Sequence, residues 1–504
     1  VDHTRHRQGS EVLIVGAGPT GMVAALVLAA NRIPCRLIEQ RPTPTSSSRA
    51  LGLQARSMEL LAGLGLAEPI AEQAYQLSGA SIMRGDEELT RMPWLPPDSP
   101  YPYTYVLPQQ GLETILRRRL DELGLDVAAG SELVTLIQDD RSVTARLSGG
   151  RELTASWLIG ADGSRSTVRE QLGIPFTGVA TGETYYLADA VLDPAPPVRD
   201  SGMWLGPEGP LMIMRLPGPD GLWRLFVDVT DRTAGDDRPA EPPPELLQAL
   251  LTERGPTSTR ITRTDWVSVY RTRLCLADRY RGGRAFLAGD AAHVFPPFGG
   301  QGMNLGIQDA VNLGWRLARV IKGASPDLLD AYEAERRPVA AEIITKVESR
   351  RRMYGLRNPL ARGARDLLLR ATAGSRPLAR RTSWENSQLD ISYARRRPRP
   401  GAVPVEGDRL PDLPVSGGTL HDHLDPAHFT LINFAPVGGP AAGPVEPSED
   451  PVVVRIDDES DPGGGTRAAC GMRRGGYLLV RPDGHIAERG QDPSTVSVLT
   501  GERG

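Results

Sequence analysis

Three short stretches carry the residues best suited to chemistry. The first is Gly16-Ala17-Gly18-Pro19-Thr20-Gly21. In such a hexapeptide the first glycine permits a tight turn, the second lets backbone approach a pyrophosphate, and the third allows a helix to pack closely on a strand. The phosphates then lie at a helix N-terminus, where unpaired N–H groups and the dipole favour an anion. Glu39 follows eighteen residues after Gly21, where a carboxylate accepts ribose hydroxyls and disfavours a 2′-phosphate. The second stretch, Gly160-Ala161-Asp162-Gly163-Ser164-Arg165-Ser166, ends a strand and opens a helix, and its acid and serines would serve equally well as helix caps. The third, Gly289-Asp290-Ala291-Ala292-His293, runs into Val294-Phe295-Pro296-Pro297-Phe298-Gly299-Gly300-Gln301-Gly302-Met303-Asn304. Asp290 could hold the hydroxyls of a ribityl chain, and the glycines let backbone approach a flat ring. A helix starting near Met303 would turn its positive end toward the anion that a reduced isoalloxazine becomes. Together the three stretches indicate a site for FAD.

Such motifs need strands that end on them and helices that start from them. Residues 11–15 read as an apolar strand, 20–31 as a helix and 35–39 as a second strand, a βαβ unit. A polar, Ser-rich stretch at 42–48 precedes a helix near 57–64. Leu112, Ile115, Leu116, Leu120 and Leu123 recur at helical spacing, and 156–159 reads as a strand. From 183 to 270 short alternating segments, such as 211–216 and 223–229, are separated by Gly/Pro turns and predict antiparallel strands. Trp204, Met212, Met214, Trp223 and Phe226 are concentrated there, either as ordinary core or as the face that covers an apolar aromatic ligand. Pro296 and Phe298 are further candidates for that surface. The α/β pattern returns with a strand at 285–288 and helices from Met303 and Pro326. The expected organisation is a split dinucleotide domain (1–178 and 276–374) around an inserted sheet domain (179–275). A basic, Pro-containing linker (375–401) then leads to a small α/β domain (402–504) with strands at 430–434, 452–456 and 476–480.

Bulk properties narrow the partners. The chain has 504 residues, 40% hydrophobic and 24% charged, with a formal charge of −4, which suits a globular protein of several domains. Neither nucleic acid nor an anionic membrane is indicated as a main partner. Cys35, Cys275 and Cys470 are too few and too scattered for a disulfide framework, and the seven histidines lack metal-ligand spacing, so no metal is expected. No apolar run approaches the ~20 residues of a membrane span, and the polar first ten residues do not read as a secretory leader, so a cytoplasmic protein is expected.

The three motifs, in this order and spacing, resemble the single-component FAD-dependent aromatic hydroxylases of the para-hydroxybenzoate hydroxylase fold. Ser48-Arg49-Ala50-Leu51-Gly52-Leu53-Gln54-Ala55-Arg56-Ser57-Met58-Glu59 and Leu305-Gly306-Ile307-Gln308-Asp309-Ala310-Val311-Asn312-Leu313-Gly314-Trp315 resemble the branch that hydroxylates aromatic polyketides. Gly407-Asp408-Arg409-Leu410-Pro411-Asp412 and Leu479-Val480-Arg481-Pro482-Asp483-Gly484 resemble its thioredoxin-like C-terminal domain. The resemblance spans nearly the whole chain. It implies an α/β (α+β) protein with a split Rossmann-like FAD domain of the glutathione-reductase βαβ type, an inserted antiparallel sheet and a thioredoxin-like tail.

By this resemblance Gly16, Gly18 and Gly21, with Pro19 and Thr20 between them, bind the pyrophosphate, Glu39 the adenosine ribose and Arg49 the phosphate side. Gln109 reaches the ribityl chain or flavin edge, Asp162 and Gly163 serve FAD and NAD(P)H binding, and Asp290 holds the ribityl chain. Pro297 sits beside the reacting face, and Gly300, Gly302, Met303 and Asn304 line the ring. His293 has the chemistry of a base, but the resemblance makes its position structural, and no catalytic residue is assigned. The implied reaction uses NAD(P)H, with NADPH favoured, and O₂. A flavin C4a-hydroperoxide then hydroxylates an electron-rich, polyketide-derived ring. A Baeyer–Villiger or epoxidising enzyme would carry the same motifs, and a redox-silent FAD-binding scaffold is the non-enzymatic alternative. A halogenase is disfavoured, because Trp204 is followed by Leu-Gly-Pro-Glu-Gly and not by the Trp-x-Ile-Pro that completes the halogenase signature. Cys470 has no Cys-x-x-Cys partner, so the tail is expected to lack thiol chemistry. Monomer and homodimer remain open.

Overall fold

The apolar run at Ser10–Val15 is the middle strand of a parallel sheet, with Val12, Leu13 and Ile14 fully buried. The structure is a computed structural model and describes residues 10–44, 50–95, 98–233, 240–296, 300–438 and 450–496. Ser10–Val15 runs parallel to Cys35–Glu39 on one side and Glu152–Gly160 on the other. Val127–Ala129 and Ala285–Leu287 extend the parallel set outward. Strands covered on both faces read as unbroken apolar runs, which is why these were recognisable. Helix Pro19–Ala30 lacks a polar stripe for the same reason, being packed between this sheet and helix Gly302–Ile321. Because the strands are parallel, their C-terminal ends meet at one edge. Ala161 N donates to Val15 O (2.8 Å), Gly16 N to Ile38 O (2.8 Å) and Ala288 N to Gly160 O (3.0 Å), so the three motifs emerge side by side.

A second sheet of eight strands stands against this edge. Its order is His293–Val294, Arg260–Ala277, Phe176–Asp193, Leu222–Asp228, Gly209–Arg215, Ser201–Gly206, Gly79–Arg84 and Glu87–Pro93. Neighbours are antiparallel except Ser201–Gly206 and Gly79–Arg84, which are parallel. Side-chain alternation gives the sheet two apolar faces. Trp204, Leu211, Ile213, Trp223, Leu225 and Val227 pack under helix Pro244–Arg254, whose Leu247, Leu250 and Leu251 are fully buried. Each such leucine contributes about 1.5–3 kcal/mol. The opposite face carries Tyr185, Leu187, Met203, Met212 and Phe226, and helix Asp330–Tyr354 packs there through Ile343 and Val347.

Two parts of the expected organisation change. Residues 79–93, read as part of the dinucleotide domain, form two strands of the second sheet. The basic segment expected to be a linker contains helix Arg376–Asn386, whose Pro377 falls in the first turn, where its missing N–H is no loss. Toward the C-terminus, Val452–Ile456, Thr430–Phe434, Gly476–Val480 and Ile486–Gly490 form a separate sheet in that order, the first pair parallel and the others antiparallel. A buried ionic seam joins this unit to the rest. Arg409 Nε donates to Glu59 Oε2 (2.8 Å), Arg481 Nη1 to Glu335 Oε1 (2.8 Å) and Trp315 Nε1 to Asp483 Oδ2 (3.2 Å). Among the described residues no helix is long and apolar enough to cross a membrane.

Candidate active site

Between the motif-bearing edge and the second sheet lies a cavity of about 1420 Å³, lined by residues of both. Ordinary ligand pockets span roughly 300–1,000 Å³, so there is room for a dinucleotide and a second molecule together.

Gly16 has φ +101°, and a Cβ there would lie 2.3 Å from Ala161 O. A Cβ on Gly21 would lie 1.9 Å from Gly16 O, so helix Pro19–Ala30 can start directly on the turn only with glycine at both places. Gly18, the residue before the helix, is different: a Cβ there would meet nothing within 4 Å, because it faces the cavity. The helix has no side-chain cap and no acid in its first turn, which leaves its N–H groups for an anion. Pro19 and Thr20 also line the cavity, whereas Gly21 serves the packing. Glu39 is buried at the end of its strand. Its Oε2 accepts from Ala17 N (2.9 Å), and Oε1 accepts from Arg41 N (3.0 Å) and Nε (3.1 Å). Burial would raise this carboxyl, but these donors outweigh it and hold it below the usual range. It stays an anionic acceptor, as a ribose diol requires.

Asp162 and Gly163 line the cavity too, but the Asp162 carboxylate is engaged in its own loop. It accepts from Ser166 Oγ (2.5 Å) and Val168 N (3.0 Å), while Ser166 Oγ accepts from Arg169 N (2.9 Å). Helix capping therefore accounts for these bonds. Gln109 lines the cavity from the start of helix Gln109–Glu122 and donates to Glu113 Oε1 (2.8 Å).

In the third motif Asp290 sits on the turn Gly289–Ala291 and is exposed on the cavity wall. Gly300, Gly302 and Met303 also line the cavity, at the uncapped N-terminus of helix Gly302–Ile321. Asn304 and Pro296 do not line it. Asn304 is fully buried: its Oδ1 accepts from Gln54 N (2.8 Å), and its Nδ2 donates to Gly52 O (2.8 Å) and Gly300 O (2.6 Å). It therefore ties two cavity loops together from behind. Arg49, Pro297 and Phe298 lie outside the described residues.

His293 is buried, with Nε2 2.6 Å from Asp309 Oδ2 and its ring stacked on Phe295 at 5.7 Å. Asp309 also accepts from Gly289 N (3.1 Å) and Arg336 Nε (2.7 Å). Burial would raise the Asp309 carboxyl, but His293 and Arg336 lower it. The cluster clamps the turn that carries Asp290.

On the second sheet Met212, Met214 and Phe226 face the cavity, with Met203 and Leu187 beside them. Trp204 and Trp223 do not. They occupy the alternate register positions and lie on the far face, with Trp204 Nε1 donating to Gly85 O (2.8 Å).

The features that suit FAD are an open glycine at a bare helix N-terminus, an anionic Glu39, and Asp290 beside a second bare N-terminus. Residues 9–347 match the family model of an FAD binding domain, and residues 403–501 that of the C-terminal domain of aromatic-ring hydroxylases. The chain belongs to the FAD-binding aromatic-ring hydroxylases.

This hydroxylase is 35% identical to 6-methylpretetramide 4-monooxygenase of Streptomyces rimosus, over 97% of its own chain and 92% of that protein. The solved OxyS anhydrotetracycline hydroxylase from Streptomyces rimosus superposes with a TM-score of 0.76 at 32% identity, covering 97% and 96% of the two chains. The flavin-dependent monooxygenase PieE, solved with FAD and substrate, superposes with a TM-score of 0.78 at 25% identity, covering 96% of each. The hydroxylase is a flavin-dependent aromatic monooxygenase with the para-hydroxybenzoate hydroxylase-like fold.

Several wall residues of the hydroxylase escaped the reading of its sequence. Trp94 Nε1 donates to Thr104 Oγ1 (2.6 Å), which donates to Gln54 Oε1 (3.0 Å), and all three line the cavity. Glu183 lines it too. Nothing local marks these residues, since they meet only through the sheet pairing. Asp309 was within reach, as a buried-face acid one helix after His293.

Proposed function

We propose that the enzyme uses NAD(P)H and O₂ to hydroxylate an electron-rich aromatic ring of a polyketide-derived substrate. The observation that carries this reading is that one continuous cavity joins the dinucleotide motifs to the Met203, Met212 and Phe226 face. Relatives named for 6-methylpretetramide and anhydrotetracycline support the substrate class. FAD supplies, when bound, both the hydride acceptor and the centre that activates O₂. The protein's part is binding, orientation and exclusion of water. Gly16 makes the tight turn, Gly18 and the uncapped first turn of helix Pro19–Ala30 would give backbone N–H groups to the pyrophosphate, Glu39 would accept the ribose hydroxyls and Asp290 the ribityl hydroxyls. The uncapped N-terminus of helix Gly302–Ile321 gives the cavity wall positive potential that would stabilise negative charge on a reduced flavin. The methionine and phenylalanine side chains keep a planar substrate dry. Asp162 and Gly163 shape the wall along which the nicotinamide nucleotide is taken up.

The C-terminal unit is assigned a thioredoxin-like fold without redox function. Its parallel strand pair flanked by antiparallel strands supports the fold, and Cys470, buried with its thiol pushed up to about 12, supports the missing chemistry. The enzyme works as a monomer or homodimer.

The test is a set of turnovers under ¹⁸O₂ with phenolic tricyclic and tetracyclic polyketides, NADPH and NADH side by side. Substrate-stimulated NAD(P)H oxidation with one labelled oxygen on an aromatic carbon is expected. A labelled lactone or epoxide, or no stimulation across the panel, overturns the reading.

A further inference from the structure

Resting on the reading of the cavity as a substrate site, we propose that Glu183 is a substrate-binding residue. Its Oε2 accepts a hydrogen bond from a phenolic hydroxyl at the edge of the bound ring system.

Strand Phe176–Asp193 places Glu183, Tyr185 and Leu187 on one face by alternation, and Glu183 and Leu187 line the cavity with Phe226. Glu183 is 7% exposed, and it lines the cavity together with Leu187, Met212 and Phe226 and with Arg271, Thr272 and Arg350. Its two oxygens are not alike. Oε1 is ion-paired with Arg351 of helix Asp330–Tyr354. Oε2 accepts from Tyr185 Oη at 3.1 Å and Thr272 Oγ1 at 3.4 Å. Both exceed the roughly 2.5–3.0 Å of a well-formed O–H···O bond. Oε2 is thus held only by two long bonds from hydroxyls, either of which a shorter, better-aligned phenolic donor can displace.

Arg351 does not complete the site. It gives its Nε and Nη2 to Glu348 at 2.6 and 2.7 Å, so its charge is divided between two carboxylates. Burial raises the Glu183 carboxyl, with Arg351 opposing, so water solvates this group poorly. The neighbouring surface fits the partner proposed. Phe226 stacks on Tyr185 with ring centroids 4.5 Å apart and planes 23° from parallel. An aromatic side chain with a carboxylate acceptor close by suits a hydroxylated aromatic ring better than a hydrocarbon. A hydrogen bond to a carboxylate also draws electron density from the O–H bond into the ring, which favours attack by an electrophilic oxygen.

The competing account is that Glu183 only ties helix Asp330–Tyr354 to the sheet through Arg351. The holoenzyme is titrated with 2-hydroxyanthraquinone and its 2-methoxy ether, reading the perturbation of the flavin absorbance. Wild type is expected to bind the phenol at least about tenfold more tightly than the ether, the range of a hydrogen bond to a charged group. Glu183→Leu is expected to erase the preference while the ether binds within about twofold of wild type. Should Glu183→Leu fail to retain FAD, Glu183→Gln decides and must cut the preference at least about threefold, since a neutral acceptor is roughly half as strong. Arg351→Met breaks the tie and removes the charge that opposes burial, but even a protonated carboxyl keeps an accepting C=O oxygen, so a preference at least as large as that of Glu183→Gln must survive. No preference in wild type, including no binding of either probe, or a preference that persists without the carboxylate, overturns the proposal. Labelled hydroxylated product without the preference would leave the proposed function standing and remove Glu183 from it. The preference without stimulated NAD(P)H oxidation would do the reverse.

Discussion

Asn304→Ala should damage the cofactor site from behind, without touching the cofactor. The wild-type side chain is fully buried and makes three bonds, to Gln54 N, Gly52 O and Gly300 O, at 2.8, 2.8 and 2.6 Å. At about 1 kcal/mol net per bond the loss is roughly 3 kcal/mol, and the stranded Gln54 N–H adds about 1 kcal/mol or more if water cannot reach it. Alanine returns roughly half a kcal/mol through its better helix propensity. The net cost is therefore about 2–4 kcal/mol. It falls on a loop 250 residues away in the chain and on the loop just before the helix that carries Asn304. Gly52 and Gly300 line the cavity, so their release should also weaken FAD binding, by tenfold or more. Denaturant unfolding of the apoprotein measures the first effect and equilibrium dialysis with FAD the second. Stability within about half a kcal/mol of wild type, with unchanged FAD affinity, would refute the reasoning.

Asp290→Ala is expected to weaken FAD retention by about 1.5–3 kcal/mol with little effect on apoprotein stability. His293→Ala should act mainly on folding, costing about 1.5–3 kcal/mol by removing the buried hydrogen bond to Asp309, and should weaken FAD retention less than Asp290→Ala does; equal FAD loss in both, with folding intact, would contradict this assignment. The seam of the C-terminal unit should loosen in acid, because burial holds His485 down to about 4 while the Arg409 and Arg56 side chains, overcoming burial, hold Glu59 at about 2. Both groups bind fewer protons folded than unfolded, so stability falls with pH, first between about 6.5 and 4 and then between about 4.5 and 2. Limited proteolysis across this range should release the C-terminal unit progressively, and resistance unchanged down to pH 3 would argue against it. Cys470→Ser should leave NAD(P)H-coupled hydroxylation nearly unchanged, since the thiol is buried and held protonated; a large activity loss with FAD content and folding intact would restore a redox role.

The elements legible in the sequence were those whose signal is local. Cys35–Glu39, Thr430–Phe434, Val452–Ile456 and Gly476–Val480 are apolar runs between turn residues, and each strand lies where the run lies. Gly16 and Gly21 were legible because backbone geometry allows no other residue there. What escaped depends on pairing between distant segments. The parallel register of Gly202 with Ser81 brings residues 79–93 into the second sheet, and nothing in those residues states which sheet they join. Trp204 and Met203 are adjacent in sequence but belong to opposite faces, so composition marked the sheet and could not say which half of its large side chains faces the cavity. The motif reading placed Asn304 against the ring, whereas its amide is fully occupied by backbone partners. The arginines and prolines after 375 suggested a linker, yet helix Arg376–Asn386 is held by tertiary contact, Ser383 Oγ donating to Pro93 O at 3.1 Å.

The same dependence on distant partners explains what the C-terminal unit can do for the site. Buried ion pairs add little net stability, because desolvation offsets most of their attraction, but breaking one is expensive, so they define orientation more than they add strength. At the seam, Glu59 binds both Arg56 and Arg409, and Arg56 in turn donates to the backbone oxygen of Asp483 in the C-terminal unit. Arg56 lies on helix Ala55–Ala62, which begins directly after Gln54. Gln54 gives its N–H to Asn304 and accepts Thr104 through its side chain on the cavity wall. The loop that lines the cavity at Gly52 is therefore held from two sides, by the helix of the third motif and by the C-terminal unit through Arg56. The C-terminal unit, its one thiol buried and held protonated, therefore bears on the active site, because it fixes the helix on which one wall of that site begins.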